Sequence, residues 1–318
     1  MKIARTVLMG LVAVLTAGAA HAAQLSGDAK ASIPKDIQQL IVVDYRSMQA
    51  SPAAMNLKQR IMPPELVRLE TALKTSGLKV DRDTETLAFA AFRIGSSGNS
   101  NNTRTLGVAQ GQFNTAAIQA NWTKQKTKST PVRNYNVYPM GAAGMSVVFL
   151  NQTTMIFGDS AAVKAGLDCR DGLASNILEN SDMMTEMNIV DQRAIWSLLD
   201  QKGTQTMMRS VLGDAASLTD YDTVKNRMKS SRYTMDFSNG IKFDMAVVMS
   251  DTMTAATAAT LMKGMALMKQ SQGSQLEKSA MKETNIDSNS GTLQVSYAAN
   301  DTQFSELLSS PLFQQVVR

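Results

Sequence analysis

Two strand hairpins, each followed by a helix, constrain the fold of this 318-residue chain more than any other feature. Thr86–Ile94 and Thr105–Phe113 have the β-branched and aromatic pattern of one hairpin, and Arg232–Phe237 and Ile241–Met249 have that of the other. A helix pattern begins after each hairpin at an Asn or Asp, residues whose side chains cap the first turn of a helix. The alternation predicts an α+β fold with antiparallel sheets.

The elements around the first hairpin give the order βαββαβ. A strand pattern at Leu40–Tyr45 comes first, and two short helices, 52–61 and 64–76, lead into the hairpin. The helix after the hairpin leads to a further strand at Arg133–Met140. This order is that of a ferredoxin-like unit. We expect its helices to pack on one face of the sheet.

The second half repeats this organisation in outline. Gln112–Ala117 follows the first hairpin and Ser250–Ala256 follows the second, and both stretches are rich in Thr and Ala. A repeat of this kind at a period of about 140 residues indicates internal duplication. We therefore predict two ferredoxin-like halves, residues 24–180 and 181–318.

The first 23 residues have the three parts of a secretory signal peptide. Lys2 and Arg5 are followed by the apolar stretch 6–20 and by the small-x-small end Ala20–Ala22. The apolar stretch is shorter than the roughly 20 residues that a membrane-spanning helix needs. We predict cleavage after Ala22 or Ala23, export to the periplasm or beyond, and no transmembrane span in the mature chain.

Cleavage would remove the only histidine of the chain, His21. A Ser-His-Asp triad, a Cys-His pair and a histidine-ligated zinc or iron site all require imidazole, so a mature chain without it excludes them. Phosphate-binding and dinucleotide-binding glycine motifs are also absent from the sequence. We therefore predict no cofactor.

One local cluster of basic residues is the candidate binding patch. Its members are Lys124, Lys126, Lys128 and Arg133, with Trp122 beside them. They are compatible with an anionic polymer of the cell envelope, or with the simple compensation of a helix dipole by lysines near its end. Cleavage lowers the net charge from +5 to +3, because Lys2 and Arg5 leave, which gives no footprint for nucleic acid.

A histidine-free hydrolase is one alternative that the residues leave open. Ser32–Lys35 and Ser279–Lys282 match the Ser-x-x-Lys pattern of serine–lysine catalysis. Asp81, Asp83 and Glu85 alternate before a strand and could supply paired carboxylates. The further motifs of the penicillin-recognising families do not follow in the required order.

Soft-metal buffering is the second alternative, because the chain has 22 methionines and thioether sulfur binds Cu(I). The same spacing is typical of helix faces packed into a core. The lone cysteine of the mature chain, Cys169, is either buried or able to form an intermolecular disulfide. The methionines cluster in two groups: Met183, Met184 and Met187, and Met262, Met265 and Met268.

Residues 35–170 contain four stretches in which a helix or strand ends or begins: Thr75–Asp81, Glu85–Ala90, Gly111–Phe113 and Ile156–Val163. In these stretches the chain resembles uncharacterised secreted bacterial proteins built from tandem ferredoxin-like units. The resemblance implies a fold and an extracytoplasmic compartment, and it brings no activity and no functional residues. The sequence thus favours a non-enzymatic binding or assembly protein of the bacterial envelope, whose partner is an envelope protein or an anionic envelope polymer.

Overall fold

The structure is a computed structural model of the chain. It describes residues 23–62, 64–93, 103–140, 144–212, 221–237 and 240–308. Residues 1–22, which are nearly all of the predicted signal peptide, lie outside the described residues.

The described residues contain strands that form one continuous antiparallel sheet. In chain order the strands are β1 (Ile37–Asp44), β2 (Thr84–Arg93), β3 (Thr103–Gly111), β4 (Thr130–Val132), β5 (Tyr135–Pro139), β6 (Met145–Phe149), β7 (Thr154–Asp159), β8 (Ile195–Leu199), β9 (Met228–Asp236), β10 (Ile241–Met249), β11 (Thr284–Asn289) and β12 (Thr292–Ala299). Their order across the sheet is β11-β12-β10-β9-β8-β1-β2-β3-β7-β6-β5-β4.

Helices connect the strands and lie against the sheet. They are α1 (Gly27–Ser32), α2 (Tyr45–Gln49), α3 (Pro52–Ile61), α4 (Pro64–Thr75), α5 (Val80–Asp83), α6 (Thr115–Lys124), α7 (Ser160–Arg170), α8 (Ser181–Val190), α9 (Gln201–Leu212), α10 (Tyr221–Lys225), α11 (Thr252–Gln272), α12 (Gln275–Lys282) and α13 (Asp301–Leu308).

The prediction of an α+β fold with antiparallel strands is confirmed, whereas the two ferredoxin-like halves are not. In a ferredoxin-like unit, two strands that are joined through a helix are not direct neighbours in the sheet. Here β1 pairs directly with β2, and Leu40 lies opposite Ala90. On its other side β1 pairs with β8, where Leu40 lies opposite Leu198. One sheet therefore runs across residue 180, and the division of the chain at that point stays a prediction.

Helices cover both faces of the sheet over the first-half strands, which corrects the expectation of one covered face. Successive strand residues point to opposite faces. On β3, Val108 packs with α1, α7 and α8 on what we call the first face, and Ala109 packs with α4 and α6 on the second face. On β7, Ile156 and Phe157 divide in the same way. These strands are accordingly apolar on both sides.

Over strands β9–β12 the face covered by helices is the second one, whereas β8 is still buried on both faces, with Trp196 and Leu198 in the core of the first face. Met262 and other residues of α11 pack on the second face against Val247 of β10 and Leu293 of β12. The first face of β9–β12 carries polar side chains instead, among them Thr234 and Asp244. A half-covered antiparallel sheet of this kind shows the alternation of apolar and polar residues.

Local signals in the sequence account for the helix ends. α3 has the bounds predicted for it, with the Ser51 hydroxyl accepting a hydrogen bond from the amide of Ala54 and proline in the first turn. α4 ends just before Gly77, whose φ of +94° favours glycine. The predicted caps Asn114 and Asp251 accept hydrogen bonds at the starts of α6 and α11.

Candidate functional site

An apolar pocket of about 70 Å³ lies between α4 and the second face of the sheet. Aliphatic, aromatic and methionine side chains form most of its wall. Three come from α4, five from strands β2, β3 and β7, and three from the segments before and after α4: Leu66, Leu69, Leu73, Leu87, Phe89, Ala109, Met155, Phe157, Met62, Leu78 and Val80. We call this cavity the α4 pocket.

The sequence builds this pocket from two periodicities. Leu66, Leu69 and Leu73 are spaced by three and four residues, so they share one face of α4. On β2, Leu87 and Phe89 point to the second face, because side chains two residues apart in a strand lie on the same side. The pocket therefore lies between the apolar face of α4 and an apolar floor formed by the sheet residues beneath it.

The floor is held in place by an aromatic contact. The rings of Phe89 and Phe157 meet edge to face, with centroids 6.0 Å apart and planes at 81°. This is one of the two geometries that aromatic pairs prefer. It fixes the orientation of both rings below α4.

The charged groups that line the α4 pocket lie together. The Lys58 ammonium lies 3.0 Å from a carboxylate oxygen of Glu70 and donates a hydrogen bond of 2.8 Å to the Tyr45 hydroxyl. The same ammonium is 4.8 Å from the centre of the Tyr45 ring, within the range of a cation–π contact. All three residues line the pocket.

Two further residues extend this group into a network of alternating charge. The Tyr45 hydroxyl donates to Asp81 over 2.8 Å. Lys74 Nζ lies 2.8 Å from Glu70 and 3.5 Å from Asp81. We call Tyr45, Lys58, Glu70, Lys74 and Asp81 the rim network; it connects helices α2, α3, α4 and the start of α5.

The rim network shifts pKa values away from neutrality. Burial, together with the hydrogen bond to Asp81, raises the pKa of Tyr45 above its usual value. Burial alone would raise the pKa of Glu70, but hydrogen bonds from Lys74 and Lys58 outweigh it and lower that pKa. The pKa of Asp81 is lowered in the same way, because hydrogen bonds from Tyr45 and Lys74 outweigh the effect of its burial. A general acid or base works best with a pKa near the operating pH, so these groups are suited to holding structure rather than transferring protons.

The carboxylates that the sequence offered for a hydrolase do not converge. Asp81 belongs to the rim network, Asp83 pairs with Arg82 at 2.7 Å, and Glu85 pairs with Arg46 at 2.8 Å. Each lies beside a cation, and Asp81 shares its Lys74 with Glu70. No paired-carboxylate site forms among these three side chains.

The predicted serine–lysine pairs show no contact that would activate the serine. The Ser32 hydroxyl donates to the carbonyl of Ala29 over 2.8 Å. Over the described ranges, neither Ser32 nor Ser279 exchanges a side-chain hydrogen bond with the lysine three residues later. Activation by an adjacent base requires that contact.

The predicted basic patch is divided by the structure. Lys124 is the last residue of α6, and Lys126 and Lys128 follow it in the chain; all three are exposed. Arg133 instead pairs with two carboxylates of α7 and its end, Asp168 at 2.8 Å and Asp171. Trp122, expected beside the patch, is fully buried in the core on the second face. Arg133 is exposed as well, so the three lysines differ from it in having no ion-pair partner among the described residues.

Cys169 and the methionine clusters are mostly internal. Cys169 is buried, its thiol donates to the carbonyl of Ser175, and burial raises its pKa to about 11. Met187 and Met262 are buried in two different cores, whereas Met268 is 47% exposed. Within the described segments there is no group of three or more His, Cys, Asp or Glu residues placed to hold a metal ion.

A second concavity of about 400 Å³ lies on the first face of β9–β12, beside α8. Its walls are mainly polar, with Arg193 and Arg232 near α8 and Asp244 on β10. Arg232 is held by Glu186 of α8 at 2.5 Å. It is an open strip of sheet.

Comparisons with known proteins find similarity at the level of the fold. No protein-family model and no curated protein matches the sequence. Crystal form I of the protein TP0453 matches with a TM-score of 0.51 and 6% identity, covering 88% of this chain and 96% of that chain. Crystal form III gives a TM-score of 0.48 and 8% identity, covering 88% of this chain and 98% of that chain.

None of the helices that the structure describes is both long enough and apolar enough to cross a bilayer.

Proposed function

We propose that the protein is an exported, non-enzymatic binding protein of the bacterial envelope, and that the α4 pocket takes the apolar end of an amphipathic small molecule. The signal-like residues 1–23 support export. The similarity to TP0453 supports the fold only, so the ligand is argued from the pocket itself.

The observation that carries this proposal is the separation of apolar and charged groups within the α4 pocket. Apart from the groups at its rim and the Thr84 hydroxyl, its wall is hydrocarbon, thioether and aromatic ring. A small apolar cavity stays dry and gains free energy when an apolar group fills it. The volume is suited to a short chain end rather than to a whole ligand, and the Lys58 ammonium lines the pocket where it can meet an anionic head group.

The test is binding of a fluorescent fatty acid to the mature protein. Leu66→Trp places a large ring in the pocket, and we expect it to weaken binding at least tenfold. Val67→Trp is the matched control, since Val67 is the next residue of α4 and is 45% exposed. Equal affinities of the two variants, or no saturable binding to the unaltered protein, would contradict the proposal.

A second candidate ligand is an anionic polymer of the envelope, bound at Lys124, Lys126 and Lys128. These side chains are exposed, and no carboxylate in the described part of the chain lies within 4 Å of their ammonium groups. Free surface cations attract polyanions over a distance set by ionic strength. Binding at the lysines should therefore be lost at high salt, whereas binding in the α4 pocket should not.

A further inference from the structure

Ala23 begins the described chain and is part of its core. It is fully buried in the cluster on the first face. Its carbonyl accepts a hydrogen bond of 3.0 Å from the indole Nε1 of Trp196, itself fully buried, and its amide donates to the carbonyl of Arg193. Trp196 lies on β8, near the centre of the sheet.

The next residues continue across the sheet. Ser26 donates its amide to the side-chain oxygen of Gln110 over 2.7 Å, and the Gln110 amide donates to the carbonyl of Gln24 over 2.9 Å. Gln110 belongs to β3, whereas Trp196 belongs to β8, and strands β1 and β2 lie between them. Residues 23–26 therefore span four neighbouring strands.

The sequence around Ala23 distinguishes the two candidate cleavage points. Cleavage after Ala22 places Ala20 and Ala22 at the two positions that require small residues. Cleavage after Ala23 places His21 at the first of them. Only the former cut leaves the acceptor of Trp196 in the mature protein.

We infer that a signal peptidase hydrolyses the Ala22–Ala23 bond and that Ala23 is the first residue of the mature protein. This inference rests on the proposed export and sharpens the boundary at residue 23. One water is consumed: its oxygen forms the carboxylate of Ala22, and the nitrogen of Ala23 leaves as an amino group. The Ala23 nitrogen lies 3.4 Å from the Arg193 carbonyl oxygen, which can accept a hydrogen bond from the new amino group as it does from the amide.

The first test is the intact mass of the protein recovered from the envelope of its own host. A mass that starts at Ala23 supports the inference. A mass that starts at Gln24 or later overturns it while leaving the export proposal in place. A full-length chain starting at Met1 overturns both.

A matched pair of variants tests the cleavage site independently of the fold. Ala22→Phe puts a bulky residue at the last position before the inferred cut, so we expect the precursor to accumulate. Ala23→Phe leaves that position unchanged, so we expect normal processing. The reverse pattern would assign the cut to the bond after Ala23 and overturn the inference.

A third measurement tests whether Ala23 belongs to the folded unit. Removing Ala23 from the mature protein leaves the buried Trp196 indole without its acceptor, and we expect the melting temperature to fall by about 2–6 °C. In a Trp196→Phe background the same removal should cost clearly less. An equal loss in both backgrounds, or no loss in either, would show that the Trp196 contact does not hold this end of the chain.

Discussion

Lys58 and Glu70 form an ion pair in which both side chains are less than one-fifth exposed. Lys58 belongs to α3 and Glu70 to α4, so the pair joins two helices beside the apolar pocket. The same ammonium also contacts Tyr45. The position of α4 over the sheet thus depends on this pair as well as on apolar packing.

Replacing Lys58 by methionine should destabilise the protein by about 1–2 kcal/mol. Removing one partner of a buried pair costs roughly 3–5 kcal/mol, but Lys74 still neutralises Glu70 here. Arg46→Met is the control, because the Arg46–Glu85 pair is largely exposed and should contribute less than about 1 kcal/mol. Urea unfolding measures both, and equal losses would contradict the role given to Lys58.

Acid should weaken the protein through Glu70 and Asp81. Because the folded state holds both pKa values below their usual range, the stabilisation is present above the unfolded pKa and is lost as the pH falls through the folded pKa. The free energy of unfolding should therefore decline below about pH 4.5. Glu70→Gln should flatten that decline, whereas Glu306→Gln, at an exposed position, should leave it unchanged.

The Cys169 thiol should be unreactive in the native protein. It is buried and its pKa is about 11, so the thiolate that reacts with disulfides is scarce at neutral pH. A thiol reagent should label it only after denaturation. Leu173→Cys supplies the positive control, since Leu173 is 68% exposed. Rapid native labelling of Cys169 would show that the segment around it opens readily.

Binding to an anionic envelope polymer, if it occurs at the lysines, should disappear in a variant with Lys124, Lys126 and Lys128 changed to glutamine. Stability should change little, because the three side chains are exposed. Arg133→Gln should lower stability and leave binding unchanged, since it removes the ion-pair partner of Asp171 and one of the two partners of Asp168 but removes no free cation. Co-sedimentation at two salt concentrations separates these outcomes.

Local features of the fold could be predicted from the sequence because short-range chemistry decides them. Ser51 with Pro52 sets the start of α3, and Gly77 sets the end of α4. β11 could not be predicted from its pattern, because it is a polar edge strand in which only Ile286 is buried. The place of β1 between β2 and β8 could not be predicted either, since a strand pattern does not state which distant strand becomes its neighbour.

The candidate site was predictable only in part. The spacing of Leu66, Leu69 and Leu73 indicates the apolar face of α4. Lys58 and Glu70, however, are twelve residues apart on different helices, so their pairing depends on how α3 and α4 fold back on each other. The sequence offers no periodic signal for that contact.

The most direct test of the account is a methyl NMR titration of the mature protein with octanoate. We predict that the methyl signals of Leu69 and Leu73, in the α4 pocket, shift in a saturable way, while those of Val247 and Leu293, in the core under α11, stay in place. The shifts should be absent in Leu66→Trp and retained in Val67→Trp. Unmoved pocket signals up to the solubility limit, or equal shifts in both cores, would contradict the assignment of the α4 pocket as a ligand site.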